Sequence, residues 1–307
     1  MTGPHPPQSM DLQEVTDEIV RLRSPMARRH ALGWLAGAGT MALLTGCGSD
    51  SGGSPTTIPV TPTPTPVPAP SPSPTPLPTP TPSPKTCTQT PSETTAPYPA
   101  DGTGATSGSV NNVLNQSGIV RNDIRASFVG SSAIAPGVRL TLNITLQNSG
   151  SNCAAVTGYA IYVWHADAQG RFSLYTIPAE TYLRGVQVTD GTGKVSFTTI
   201  IPGVLSGRYP HIHVAIFPTL ASATVGANAV FATQLILPVD LCTAVYADTT
   251  TYAGAQTRFG AITLASDPVF GDNSTEQNAS RTLTATGTVA AGYTADVTLS
   301  PNLGVAI

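Results

Sequence analysis

The stretch Gly207-Arg208-Tyr209-Pro210-His211-Ile212-His213-Val214-Ala215-Ile216-Phe217 reads as a loop running into a strand. From His211 onward, apolar Ile212, Val214 and Ile216 fall on one face and His211 and His213 on the other, because strand side chains repeat every two residues. Two imidazoles on one face, roughly 7 Å apart along the strand, can converge on a single metal. Taken alone, His-x-His reads either as a pair of metal ligands or as two partly exposed strand histidines.

Other stretches carry the same period. Val138, Leu140, Leu142, Ile144 and Leu146 alternate with Arg139, Thr141, Asn143, Thr145 and Gln147, the pattern of a half-buried strand. Asn148 to Asn152 reads as a turn, Val156 to Trp164 as a second strand, and 167–170 as a tight connection. Lys194 to Ile200 alternates again, and 229–237, 282–289 and 294–299 complete a set of seven or more short strands. With 29 Gly and 29 Pro in 307 residues and few long helical patterns, the expected class is all-β: an antiparallel β-sandwich. No internal repeat is evident.

Ahead of that domain the composition changes twice. Arg28-Arg29 precedes an apolar run from Ala31 to Leu44, ending in Leu44-Thr45-Gly46-Cys47. Twin arginines before a short apolar run resemble a Tat export signal, and small residues before a cysteine resemble a lipobox. The run is shorter than the about 20 apolar residues of a membrane span. Residues 1–47 are thus read as a Tat-like lipoprotein signal in which Cys47 is lipidated, with Met1 or Met26 as the start. Asp11 to Leu22 reads alternatively as a short amphipathic helix. The expected location is outside the cytoplasm, on the outer face of the cell membrane, with the membrane as partner through the lipid. Residues 48–86 form a linker, Gly/Ser-rich and then Pro-rich, with proline at every even position from Pro62 to Pro84. Such a tract favours polyproline II and, at about 3.1 Å per residue, about 30 residues reach about 90 Å. The folded domain is expected over 87–307.

Charge excludes one class of partner. A net charge of −3, with 14 basic and 17 acidic residues, offers no basic surface for nucleic acid. With Cys47 lipidated, Cys87, Cys153 and Cys242 remain for an oxidising compartment. They allow one disulfide in three pairings, of which Cys153–Cys242 is the one favoured here.

Four blocks occur in order: Tyr162 to Ser173 (YVWHADAQGRFS), Tyr182 to Gln187 (YLRGVQ), Phe197 to Gly203 (FTTIIPG) and Arg208 to His213 (RYPHIH). Together with Thr90-Pro91 and Ala96-Pro97-Tyr98 they resemble the intradiol ring-cleavage dioxygenases, of the secreted, signal-bearing kind, from about Cys87 to the C-terminus. The resemblance implies a non-haem Fe(III) held by two histidines and two tyrosinates, and O₂-dependent cleavage of catechol-type aromatics. It places His211 and His213 on the metal, Arg208 beside the charge that develops on the substrate, and Gln234 in the pocket.

Both tyrosine positions differ. Where the family has Gly-x-Tyr this chain has Gly170-Arg171-Phe172, and the tyrosine after Pro-Gly is Leu205. Phenylalanine has no phenolic oxygen and leucine no donor atom, so two neutral imidazoles are left without the anions a hard trivalent cation requires. Tyr209, on the strand face of the histidines if Pro210 does not break the strand, and Tyr175, three residues beyond Phe172, are the phenols considered as replacements. His165 and Asp167 read as structural. No nucleophile elbow supports a Ser-His-Asp hydrolase. Three functions follow: a degenerate dioxygenase relative that binds a phenolic or catechol-type molecule without cleaving it, a two-histidine Cu or Zn protein, and an active dioxygenase with an atypical metal shell.

Overall fold

A computed structural model describes residues 87–304. The signal, Cys47 and the Pro-rich linker lie outside the described residues.

Among the described residues nine strands form two sheets. The long β1 (Arg139–Asn148) lies between β5 (Lys194–Ile200) and β9 (Gly292–Leu299), with β8 (Thr284–Thr288) beyond β9 and the two-residue β2 (Ala154–Ala155) beside the end of β1. The second sheet has the order β4 (Arg184–Val188), β3 (Ala160–Trp164), β6 (His211–Phe217), β7 (Phe231–Ile236), every neighbour antiparallel.

The inner faces share one core. Leu140, Leu142, Ile144 and Leu146 of β1 and Val195 and Phe197 of β5 meet Ile161 and Val163 of β3 and Ile212, Val214 and Ile216 of β6. The alternation in β1 is therefore burial on one side only, its other side chains being half-exposed. Burying each of these aliphatic side chains stabilises by about 1.5–3 kcal/mol.

The all-β, antiparallel expectation is corrected in two respects. β1 and β9 run parallel, from Leu140 against Tyr293 to Leu146 against Leu299. Between β7 and β8 the chain is helical: α1 (Val239–Val245), α2 (Ala255–Gly260) and α3 (Thr275–Ala279). Each is one or two turns long, too short to show a 3.6-residue period. Start signals are present: Pro238 stands at the N-cap of α1, and Ser274 and Gln277 form a capping box at the N-terminus of α3.

The disulfide expectation is also corrected. Cys87 pairs with Cys153, while Cys242 sits in α1, fully buried and free. Its thiol, pushed up to about 12 by burial, packs in the common core. Strand ends move by a few residues, β3 beginning at Ala160 rather than Val156. β4 comes from the stretch read only as part of a motif.

Candidate functional site

The outer face of the second sheet carries a row of large side chains, one from each strand. Arg184 of β4 is paired with Trp164 of β3, Trp164 with His213 of β6, and His213 with Gln234 of β7. All four are buried. Trp164 stacks on His213 with centroids 4.7 Å apart and planes 7° from parallel.

Segment 90–101 runs over this row, and Gln234, Trp164 and Arg184 donate hydrogen bonds to it. Gln234 Nε2 donates to the carbonyls of Thr94 and Ala96, at 3.1 and 3.2 Å. Trp164 Nε1 donates to Pro97 O at 3.3 Å, and Arg184 Nη1 to Pro99 O at 3.1 Å. Tyr162, stacked on Trp164, donates to Pro99 O at 2.7 Å. The segment is thus laid across the sheet as a strap, its carbonyls satisfied by side chains in place of a strand partner.

His211 and His213 converge as their spacing predicts. Their Nε2 atoms are 3.0 Å apart, and His211 Nδ1 lies 2.6 Å from Tyr209 O. That backbone bond makes Nδ1 the protonated nitrogen of His211 and leaves its Nε2 to accept from His213 Nε2–H, an assignment made from the hydrogen-bond network. His213 Nδ1 has no hydrogen-bond partner. Burial, then the Arg208 cation, takes His211 down to about 3. Burial, then His211 and Arg208, takes His213 well below the usual histidine range. Both rings are neutral at neutral pH.

Arg208 and Gln234 join the pair: the Arg208 guanidinium donates to Gln234 Oε1, and its Nε donates to Asp267 at 3.0 Å. Asp267, between α2 and α3, also accepts from the backbone N–H groups of Tyr209, Val269 and Phe270. Although burial pushes its carboxyl up, Arg208 and the Tyr209 N–H outweigh that and hold it below the usual carboxylate range. The four residues named from sequence therefore stand together. Asp267 was missed, since no spacing links it to Arg208, 59 residues away.

Phe172 is buried, and its ring makes a T-shaped pair with His213, centroids 6.1 Å apart and planes at 65°. Leu205, half-buried, packs in the same cluster. The two loops that carry them touch through glycine. A Cβ on Gly170, which adopts a φ of +82°, would fall 2.2 Å from Val204 O. Neither replacement phenol reaches the histidines in the expected way. Tyr209 precedes β6, and its ring packs against Phe259 and Phe270 in a separate cluster. The Tyr175 hydroxyl accepts from Ala100 N at 3.0 Å. Tyr98, noticed in the sequence only as part of a motif, covers Phe172 at 4.9 Å and Tyr175 at 4.8 Å.

His165 and Asp167 both bond within the fold. His165 bonds Ala166 O and Thr199 Oγ1, at 2.8 and 2.6 Å, and burial takes it down to about 4. Asp167 accepts from Gln169 N, Arg171 N and the Arg171 guanidinium, closing the loop before Phe172.

Two sheets in this order, with a histidine pair on an inner strand of one, form a fold shared with solved intradiol ring-cleavage dioxygenases. The chain is similar to an intradiol ring-cleavage dioxygenase from Tetranychus urticae, with a TM-score of 0.53, 19% identity, and 72% of this chain and 98% of that one covered. A second solved dioxygenase gives a TM-score of 0.53 and 20% identity over 72% of this chain and 97% of its own. At such identity the likeness is one of fold. No family model and no curated protein matches the sequence.

Ferric iron, the metal the sequence resemblance implies, does not fit the residues present. Among the described residues no group of three or more His, Cys, Asp or Glu gathers as a metal site. The buried carboxylate at the site, Asp267, is committed to Arg208 and three backbone N–H groups. Apolar Phe172 and Leu205 and cationic Arg208 complete the surroundings, with no phenolate to offset the metal's charge.

Proposed function

We propose that this protein is a degenerate relative of the intradiol dioxygenases, retaining their fold and binding a phenolic or catechol-type aromatic without cleaving it. The observation that carries the reading is the Phe172 ring, in a T-shaped pair with His213 at the position the sequence resemblance gives to a ligand tyrosine. The other such position holds Leu205. Arg208 and Gln234 keep their places beside the histidines by bonding each other. In this reading they support the strap and the sheet rather than a reaction. The protein is exported and held by a lipid on Cys47 at the outer face of the membrane, with residues 48–86 as a spacer. The motivation is the twin-arginine and lipobox sequence.

Iron loading followed by a visible spectrum and a catechol assay tests the chemistry. The wild-type protein is expected to lack a phenolate-to-iron band and to leave catechol uncleaved. Phe172→Tyr with Leu205→Tyr is expected to bring the band and ferric affinity. A coloured wild-type protein that turns over catechol overturns the reading. For the anchor, Cys47→Ala is expected to move the protein from the membrane to the soluble fraction, and an unchanged distribution refutes lipidation.

A second reading rests on the 3.0 Å between the two Nε2 atoms. Two imidazole nitrogens bound to one metal by bonds of about 2.1 Å lie about 3.0 Å apart at the 90° angle of a square-planar Cu(II) site and about 3.4 Å apart at the tetrahedral angle of Zn(II). The pair thus stands at the Cu(II) spacing and needs a small opening to take Zn(II). Calorimetric titration with Zn(II) and Cu(II), repeated on His211→Ala, decides it: binding lost with the histidine supports the site, and no binding removes it.

A further inference from the structure

Among the described residues three aspartates are buried: Asp101, Asp167 and Asp267. Two of them have an arginine, Asp167 pairing with Arg171 and Asp267 with Arg208. Asp101, 3% exposed, has none. The other ion pairs of the described residues join Arg125 to Asp123 and Arg281 to Glu93. Arg184, whose guanidinium lies 5.7 Å from the Tyr175 ring centroid, bonds Ser173, Pro99 O and the Tyr162 hydroxyl instead. Asp101 Oδ1 accepts from Thr103 N and Thr103 Oγ1, at 3.1 and 2.6 Å. No described residue donates a hydrogen bond to its Oδ2.

Asp101 stands in the wall of an open cavity of about 680 Å³. Tyr98, Thr103, Ser107, Tyr175 and Gly226 share that wall, and no Lys, Arg or His does. Gly226 is fitted to the carboxylate: a Cβ there would overlap Oδ2. The rings of Tyr98 and Tyr175 pack together at 4.8 Å. The cavity is thus lined by one buried anion and two aromatic rings, among hydroxyls.

Burying a carboxylate is costly unless a partner offsets its charge, and here the chain supplies no cation. A divalent metal ion suits the site poorly. It takes about six or more oxygens, carboxylates prominent among them, whereas no group of three or more His, Cys, Asp or Glu gathers among the described residues. An organic ammonium needs fewer acceptors and is attracted to aromatic faces. The open valence of Oδ2 calls for an N–H donor, which a quaternary ammonium lacks. Ser107 and Tyr175 hydroxyls can donate or accept, so the sign of the ligand's charge is set by Asp101.

We propose that this cavity binds a protonated primary amine, its N–H donating to Asp101 Oδ2 and its organic part lying against Tyr98 and Tyr175. The volume falls within the range of small-molecule sites. The proposal goes beyond the reading of the histidine pair and does not depend on it.

The test is a titration of the folded protein at neutral pH with benzylamine and with benzyl alcohol, which share ring and methylene and differ in the charged group. Protein-observed NMR follows it, with the Thr103 and Gly226 amides as local reporters. The amine is expected to bind at least about tenfold more tightly than the alcohol, the scale of a hydrogen bond between charged groups. Asp101→Asn keeps an oxygen for Thr103 and removes the charge; it is expected to weaken the amine about tenfold and leave the alcohol unchanged. Asp240→Asn removes an exposed carboxylate on α1 and is expected to change neither, which separates the site from a general attraction of amines to an acidic protein. Gly104→Phe places a ring on the cavity wall where an added Cβ meets no atom within 4 Å. It is expected to abolish binding of both probes with an unchanged melting temperature, and it decides the matter if Asp101→Asn does not fold. Equal affinity for amine and alcohol, or no binding of the amine, overturns the proposal. So does amine binding that survives Asp101→Asn or Gly104→Phe, or that falls as far in Asp240→Asn.

Discussion

β1 and β6 are each central to a sheet, yet one is buried on one side and the other on both. Along β1 the side chains alternate between buried Leu and Ile and half-exposed Thr, Asn and Gln. All seven residues of β6, His211 to Phe217, are buried. The open face of the first sheet is a polar lattice in which Ser196 donates to Asn143 at 2.8 Å and Asn143 to Asp296 at 3.0 Å. The matching face of the second sheet lies under the strap and the loop carrying Phe172. Burial on the second side takes the histidines out of water, holds them neutral and fixes their rings, so the chemistry sits where two layers of packing meet.

The largest effect expected from this contrast is at Trp164, fully buried in the row and hydrogen-bonded to the strap. Trp164→Ala removes the ring stacked on His213 and Tyr162 and should cost about 3–5 kcal/mol in denaturant unfolding. It should also raise hydrogen exchange in residues 94–100. A loss under about 1 kcal/mol would mean that the strap, not the row, carries the packing of that face.

How much of this was legible follows from the same contrast. A one-sided strand announces itself by alternation, so β1 and β5 are legible to within a residue, and His-x-His puts two imidazoles on one strand face. Arg208 and Gln234 were found through a sequence resemblance. Residues that act from irregular segments left no period to read. Asp267 lies outside any helix or strand, and Tyr98 covers Phe172 from an irregular segment. α1 to α3 are too short for a helical stripe. The parallel pairing of β1 with β9 joins residues about 150 positions apart, for which local pattern holds no information. Cysteine counting failed for the same reason: the choice between Cys87 and Cys242 depends on where the strap begins its path, and only the fold fixes that.

Acid sharpens the contrast, because the buried histidines and the open lattice respond differently to protons. His165, bonded on both ring nitrogens, titrates near 4 in the folded protein against about 6.5 when unfolded. The unfolded chain therefore binds the proton first. The stabilisation from keeping this ring neutral is fully present above about 6.5 and is lost as pH falls toward 4. His211 adds to the loss in the same direction, its window extending to about 3. The slope is about 1.4 kcal/mol per pH unit for each such histidine. Urea midpoints at pH 7, 6, 5 and 4 check this. A flat profile across that range would mean the rings are charged in the folded protein, contrary to their burial.

The smallest effect belongs to the open lattice, and it tests whether that face is as passive as its exposure implies. Thr286 of β8 is exposed and stands opposite Thr294 of β9, itself exposed and paired with Thr141 of β1. Removing one hydroxyl there leaves both neighbours in water, which replaces any bond they lose, and opens no cavity. The remaining term is the lower strand preference of alanine at an edge, a fraction of a kcal/mol. Thr286→Ala should therefore shift stability by no more than about 0.5 kcal/mol and leave the catechol affinity of the wild type unchanged. A loss above about 1 kcal/mol would show that the threonine rows are packed against something in the folded state, and the contrast between the open and the covered sheet would then fail at its open end.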